Sequence, residues 1–118
     1  MKKFLATALF ALSILILQMP QAAAQEVYLG DDSYLLTETV SNKPVGGKMM
    51  TFSGTVREGS TNFDYDYIFY GDGLVVYDKM YYGEKRGSGR FNATSPGSYS
   101  NTVAYKAFIA ILKMYGLI

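Results

Sequence analysis

The sequence predicts an α+β fold, in which an antiparallel sheet of five or six strands carries one C-terminal helix on one face. Three observations predict it. Between residues 26 and 82, runs of alternating apolar and polar residues are separated by short turn signals. From residue 98 onward, the apolar spacing becomes that of a helix. The chain has 118 residues and no cysteine, so a single small domain must be held by packing and hydrogen bonds.

Residues 1–24 have the features of a secretory signal peptide. Lys2 and Lys3 supply positive charge, the segment from Phe4 to Leu17 is almost entirely apolar, and Ala22-Ala23-Ala24 is a cleavage site of small residues. The apolar run is too short for a stable membrane span, so we expect no retained transmembrane segment. We expect cleavage after Ala24, release into the periplasm or outside a bacterial cell, and one folded domain over residues 25–118.

The first half of this domain is predicted to form a hairpin and a long strand. The hairpin consists of strands at residues 26–30 and 34–40, and a loop rich in Asn, Pro and Gly follows at 41–47. Residues 48–58 alternate strongly, as in a strand with one buried side. Gly54 is the one member of the apolar side without a side chain, which predicts either a bulge or the close approach of another element.

A second hairpin is predicted over residues 63–82, with Gly71-Asp72-Gly73 at its centre. A two-residue turn would place Asp66 opposite Lys79, which is a favourable pair. A three-residue turn would place Asp66 opposite Asp78, where two carboxylates would repel, raise one pKa or hold a cation. The sequence leaves both registers open.

The C-terminal part is predicted to be a helix over residues 99–115. Ser98 or Ser100 is the candidate N-cap, and Gly116 lies just beyond the end. The stretch before the helix is rich in Gly, Ser and Pro and adds at most one short strand, at residues 89–94. Apolar residues cover most of the helix circumference, so the helix either sits deeply in a curved sheet or leaves apolar surface for a partner or a second copy.

Composition argues against several classes of function. With no histidine and no cysteine, the chain lacks the commonest general base, the commonest transition-metal ligand and the thiolate nucleophile. The net charge of +1 gives no basic excess for nucleic acid. We therefore expect no enzymatic activity, no catalytic residue and no cofactor or metal; a small metal-dependent hydrolase is the least favoured alternative.

The 11 tyrosines are the compositional excess. Tyrosine has an apolar ring and a polar hydroxyl, and therefore suits both half-buried sheets and recognition surfaces. Tyr65 and Tyr67 are predicted to be core. Tyr70, Tyr77 and Tyr81, with Ile68 and Val75, are predicted to cover the opposite face. With a basic loop, these three tyrosines are predicted to form a contact surface of Tyr70, Tyr77, Tyr81, Lys85, Arg86 and Arg90. The alternative is a rim of amphipathic residues around a two-layer core and a solvated loop.

The segment Val27 to Val40, VYLGDDSYLLTETV, is followed by a long alternating strand, an aromatic hairpin and a helix. This layout resembles the surface-adhesin protein E-like family of small secreted bacterial domains. The resemblance in residues covers only Val27 to Val40; the Asp common in the family's first hairpin is missing from Leu36 to Val40. It implies an antiparallel sheet with a helix and a protein that contacts host or matrix proteins. It transfers no individual binding residue.

We therefore expect a non-enzymatic, adhesin-like binding domain that is secreted or periplasmic and acts by contact with an envelope or host protein or a glycan. The alternative is a cell-envelope structural or inhibitor-like module that forms a homodimer through its helix.

Overall fold

The computed structural model describes residues 25–46 and 49–118, so the predicted signal peptide and its cleavage site lie outside the described residues. The strands are β1 (Glu26–Gly30), β2 (Ser33–Gly46), β3 (Met49–Glu58), β4 (Thr61–Tyr70), β5 (Leu74–Tyr81) and β6 (Glu84–Asn92), followed by a 3₁₀-helix (Gly97–Asn101) and α1 (Val103–Met114). The six strands form one antiparallel sheet in their sequence order. This confirms the predicted fold class. Within the described part of the chain, no helix is long and apolar enough to cross a membrane.

The register of the second hairpin is the one with a three-residue turn. Asp66 lies opposite Asp78 and Tyr67 lies opposite Tyr77. The turn is closed by the Asp72 carboxylate, which accepts a hydrogen bond of 3.0 Å from the N–H of Leu74. This register aligns the apolar side chains of β4 and β5 on one face of the sheet, whereas the alternative register would have turned Asp78 toward that face.

Two stretches of strand are longer than the sequence predicts. β2 continues to Gly46, through the region predicted to be a loop, because its residues 41–44 pair with β3. Its register shifts between Leu36 and Ser41. Thr39 lies within this irregularity, where its hydroxyl donates to the Leu36 carbonyl oxygen (2.7 Å) and accepts from the N–H of Thr55 (2.8 Å). β6 is also longer than predicted and pairs with β5 along its length.

The helix begins later than predicted. Thr102 is the N-cap, since its hydroxyl accepts a hydrogen bond of 3.2 Å from the N–H of Tyr105. Ser98 and Ser100 lie instead in the separate 3₁₀-helix, so the prediction that one of them is the cap was wrong. Gly116 is confirmed as the residue after the C-cap. Its φ is +69°, and the N–H of the following Leu117 bonds to the Leu112 carbonyl oxygen at 2.9 Å, as in a Schellman motif.

The core lies between α1 and one face of the sheet. The largest fully buried side chains come from both layers: Tyr67, Phe52, Phe108, Leu35, Ile111, Val56 and Val75. Gly54 permits this packing, because an added Cβ would lie 3.1 Å from Leu35 Cδ1 and 3.4 Å from Ile111 Cδ1. Gly54 therefore marks a close approach, and it also lies opposite the irregularity in β2, since Leu36 pairs with Thr55 and Ser41 with Ser53, whereas β3 and β4 pair without a shift.

The helix is deeply seated in the sheet. Its central residue, Phe108, contacts the rings of Tyr67, Phe69 and Phe91, and α1 also contacts β1 at the opposite edge of the sheet. Lys113 is the one exposed residue of α1. The sheet therefore curves around the helix, and its other face remains free for a site.

Candidate functional site

The helix-free face is the side of the sheet opposite α1. Because side chains alternate along a strand and Phe52, Val56, Tyr65 and Tyr67 are buried beneath α1, the intervening residues of β3 and β4 point away from it. The 3₁₀-helix also packs on the α1 side, where the ring of Tyr99 lies 5.4 Å from that of Phe91. In the described ranges, neither helix covers the helix-free face.

Two hydroxyl–carboxylate pairs lie side by side at the centre of the helix-free face. Ser53 lies opposite Asp66 and donates to its Oδ1 at 2.9 Å. Thr55 lies opposite Asp64 and donates to its Oδ1 at 2.7 Å. Both aspartates are exposed, and the second oxygen of each carboxylate receives no hydrogen bond from the described residues. Those two oxygens are therefore acceptors open to a ligand.

A groove runs over these pairs. Two adjoining cavities of about 440 and 320 Å³ share Thr39, Thr55 and Asp64 in their walls. The first extends to Tyr82 at the β5–β6 turn, and the second extends to Asp66. The groove therefore crosses the sheet from β2 to the β5–β6 turn, with a polar floor and an aromatic residue at its rim.

Tyr82 is unusual in both conformation and exposure. Tyr82 and Gly83 form the two-residue turn between β5 and β6, with φ values of +49° and +81°. Such turns favour Asn, Asp and Gly, because a residue with a Cβ is strained in the left-handed region by about 1 kcal/mol or more. The side chain is 89% exposed, and its ring contacts that of Tyr81 at 4.7 Å.

Sequence reasoning missed Tyr82 as a site residue. Tyr82 was predicted to end a strand, and Tyr81 was the neighbouring residue included in the predicted contact surface. The signal that could have identified it is the Tyr82-Gly83 pair itself, since a hairpin turn between two strand-like segments ordinarily carries Asn or Asp before the glycine.

The six residues of the predicted contact surface do not lie on one face. Tyr70 and Arg90 lie on the helix-free face by strand alternation, and Lys85 joins them there through its ion pair with Asp78 (3.4 Å). They lie outside the walls of the groove. Only half of the predicted set therefore shares the helix-free face.

The other three residues are placed by alternation or by ring contacts with the face that carries α1, although Tyr81 also lines the groove beside Tyr82. The hydroxyl of Tyr77 is 3.1 Å from that of Tyr99, and the Arg86 guanidinium lies 4.7 Å from the centre of the Tyr81 ring. The Tyr81 ring in turn packs against Phe63. The expectation that Tyr77 and Tyr81 cover the opposite face together with Tyr70 was wrong, because the three-residue turn aligns them with the aromatic residues of β4.

The paired acids Asp66 and Asp78 each have a different partner. Asp66 is bonded to Ser53, whereas Asp78 is paired with Lys85, so different partners relieve their repulsion. Residues 25–46 and 49–118 contain no group of three or more Asp, Glu, His or Cys side chains placed to hold a metal ion.

A second polar cluster lies on the face that carries α1, centred on Glu58. Its carboxylate accepts hydrogen bonds from the Tyr65 hydroxyl and from Lys79 Nζ, which is 2.9 Å away. Lys79 Nζ also lies 4.2 Å from the centre of the Phe63 ring. Burial, followed by the hydrogen bond to Glu58, raises the pKa of Tyr65 well above its ordinary value. The cluster therefore joins β3, β4 and β5 through one carboxylate.

Comparisons with protein-family models, with curated proteins and with solved structures find no match to this chain. The resemblance to the surface-adhesin protein E-like family therefore stays a prediction.

Proposed function

We propose that this protein is a non-enzymatic binding module, secreted or periplasmic in a bacterium, and that it binds a glycan in the groove on the helix-free face. The observation that carries the proposal is Tyr82: an aromatic ring held in a strained turn, 89% exposed, at the rim of a polar groove.

Within the monomer, the only ring that the Tyr82 ring contacts among the described residues is that of Tyr81. Asn at this position would satisfy the turn at lower cost, and the exposed ring buries little surface. Strained residues that are not needed for packing cluster at functional sites. The use of the Tyr82 ring therefore lies in contact with another molecule.

A glycan matches both parts of the groove. Sugar rings present apolar C–H faces that stack on an exposed aromatic ring, and hydroxyl groups that donate hydrogen bonds to carboxylates. Asp64 and Asp66 are two residues apart on one strand, which separates them by about 7 Å. Their free oxygens can accept from two hydroxyl groups along an extended sugar chain, while Tyr82 stacks on a neighbouring ring.

The test compares two substitutions at Tyr82. Tyr82→Asn removes the ring and relaxes the turn, whereas Tyr82→Phe keeps the ring and the strained backbone. The probes are a printed glycan array and co-sedimentation with purified peptidoglycan. We expect Tyr82→Asn to lose at least tenfold in glycan affinity while its unfolding midpoint stays unchanged or rises, and Tyr82→Phe to retain binding.

Asp64→Asn and Asp66→Asn test the floor of the groove. Each amide keeps the shape of the carboxylate but has one acceptor oxygen in place of two, so we expect a several-fold weaker affinity. The proposal fails if the unmodified protein binds neither probe, or if Tyr82→Asn binds as well as the unmodified protein. Capture of an envelope protein without any glycan binding would also overturn it.

Export is tested independently of binding. Fractionation of cells that express the full chain, followed by mass measurement, should find the protein in the periplasm or the medium, beginning at Gln25. Recovery of the uncleaved chain in the cytoplasm would contradict this part of the proposal.

A further inference from the structure

A second groove lies between the edge strand β1 and helix α1. Its volume is about 390 Å³, and its walls include Val27 and Leu29 of β1 and Ile109 and Ala110 of α1. β1 is the first strand of the sheet, so one of its two edges has no neighbouring strand among the described residues. An open strand edge beside an apolar groove can accept a further strand.

One lysine lies toward each end of this groove. Lys106 Nζ lies close to Gly30, only 3.2 Å from where a Cβ on that glycine would stand. Lys113 is seven residues further along α1, which is about 10 Å along the helix axis. Neither lysine forms an ion pair with any described residue. The occupant of the groove should therefore be apolar at its centre and carry an acid that can reach one of these lysines.

We propose that the occupant is β1 of a second copy of this chain, which pairs antiparallel with the first β1 around a two-fold axis at Tyr28. The segment Val27-Tyr28-Leu29-Gly30-Asp31-Asp32 has the required composition, since an apolar strand is followed by two acids that form no ion pair with the described residues. A two-fold axis makes the interface self-complementary and closes the assembly at two copies.

The backbone of β1 has the orientation that this pairing needs. The N–H of Thr37 in β2 donates to the carbonyl oxygen of Gln25 at 3.3 Å. Because backbone groups alternate in direction along an antiparallel strand, Val27 also faces β2, whereas Glu26 and Tyr28 direct their N–H and C=O groups outward. Two copies can therefore exchange a pair of hydrogen bonds at Tyr28.

Charge then fixes the orientation. In the antiparallel arrangement the second copy's Asp31 passes the end of the groove toward Lys113. The second copy's Glu26 lies opposite Gly30 and stays on the helix-free face, where it is bonded to Arg57 of its own chain. Parallel pairing would instead place equal charges beside each other along the two strands. The antiparallel dimer forms the Asp31–Lys113 contact twice.

The exposure of Tyr28 supports the same edge. Tyr28 is 63% exposed although it stands at the centre of β1, and its ring lies 5.2 Å from that of Tyr34. β1 contains neither Lys nor Pro, the residues that commonly protect an open edge, whereas the other edge strand, β6, carries Lys85, Arg86 and Arg90. β1 is five residues long and its register with β2 shifts between Tyr28 and Gly30, so the stretch available for pairing is short and centred near Tyr28, with no basic side chain to repel a second copy.

The test is the mass of the purified, exported protein in solution by light scattering and sedimentation over 1 to 500 μM, roughly the range of weak to moderate self-association. We expect twice the mass of one chain at the upper concentrations. Tyr28→Pro removes one outward N–H of β1 and leaves the hydrogen bonds between β1 and β2 intact. Lys113→Glu reverses the charge at one end of the groove. Each variant should raise the dimer dissociation constant at least tenfold. Lys43→Glu, at an exposed lysine of β2, is the matched control and should leave it unchanged.

Asp31→Asn refines the test, because asparagine tolerates the φ of +47° at this turn position and removes only the charge. It should weaken the dimer several-fold. A monomer at every concentration, a dimer indifferent to both Tyr28→Pro and Lys113→Glu, or species larger than two copies would each overturn the proposal. Glycan binding is measured on the Tyr28→Pro protein as well, so the two proposals succeed or fail separately.

Discussion

Replacing Gly89 by alanine would place a methyl group where two tyrosine hydroxyls already meet. The added Cβ would fall well inside van der Waals contact with the Tyr99 hydroxyl and 3.0 Å from both Cε1 and the hydroxyl of Tyr77. Those hydroxyls are hydrogen-bonded to each other, and both rings pack on Phe91. The substitution therefore forces either the hydrogen bond or the aromatic cluster to move.

The expected cost follows from these contacts. Overpacking a formed cluster costs about 1–3 kcal/mol, and loss of the hydrogen bond costs about 1 kcal/mol. Replacing glycine by alanine in a strand returns about 0.5–1 kcal/mol through the unfolded chain. We expect Gly89→Ala to lower the free energy of unfolding by about 1–3 kcal/mol, with a fall in Tm of roughly 4–8 °C for each kcal/mol.

Gly87→Ala is the matched control. It lies on the same strand and face, but its added Cβ would be 3.8 Å from Lys79 Cβ, which is ordinary contact. We expect this variant to be as stable as the unmodified protein or slightly more stable. Urea unfolding followed by tyrosine fluorescence and circular dichroism measures both. Tyr99→Phe removes the obstructing oxygen and should restore part of the loss when combined with Gly89→Ala. The reasoning is refuted if Gly89→Ala is as stable as Gly87→Ala.

Two further predictions concern pH. Burial raises the pKa of Tyr67 well above its ordinary value of 10.0, so its stabilising contribution is complete below pH 10 and is lost as the pH rises further, by about 1.4 kcal/mol per pH unit. Tyr67→Phe should lower the free energy of unfolding by about 1 kcal/mol at pH 7, because the hydrogen bond to the Ala104 carbonyl oxygen is lost. The same variant should lose less stability as the pH rises, which urea unfolding at pH 9 to 11, roughly one unit either side of the ordinary tyrosine pKa, would measure. Equal losses of stability with pH in the variant and the unmodified protein would contradict this. The hydrogen bond from Arg57 lowers the pKa of Glu26 below 4.5, so that this contribution is present above pH 4.5 and disappears as the pH falls through the folded-state pKa. Arg57→Met should therefore reduce the dependence of the free energy of unfolding on pH in the acid range, whereas the control Arg86→Met should leave it unchanged. An acid unfolding transition that is the same in Arg57→Met and in the unmodified protein would argue against this reasoning.

The elements of the fold were predictable wherever the chemistry is local. Alternation identified the strand that contains Gly54, and the apolar run before Gly116 identified the helix. The helix start was missed, because residues 97–101 form a separate 3₁₀-helix and the N-cap is Thr102. β6 was predicted too short, since its glycines disfavour a strand by propensity although Gly89 is required by the packing of Tyr77 against Tyr99.

The candidate site was less predictable, because it depends on pairing across strands. The sequence identified Asp66 and left its partner open, and selected Tyr77 and Tyr81 as surface residues. A slip of one residue in register moves every side chain of a strand to the other face, and no local signal fixes the register. The three-residue turn moved both tyrosines to the α1 side, and the left-handed turn exposed Tyr82 instead.

The sequence by itself determined which segments form strands, which segment forms the helix and which catalytic residue types are absent, since these follow from residue type and spacing along the chain. Tertiary structure alone decided which face each tyrosine occupies, which hydroxyl lies against which carboxylate, and which strand edge stays open beside α1. These follow from contacts between residues distant in sequence, where the burial of the β4 and β5 aromatic side chains beneath the helix selects one register from two.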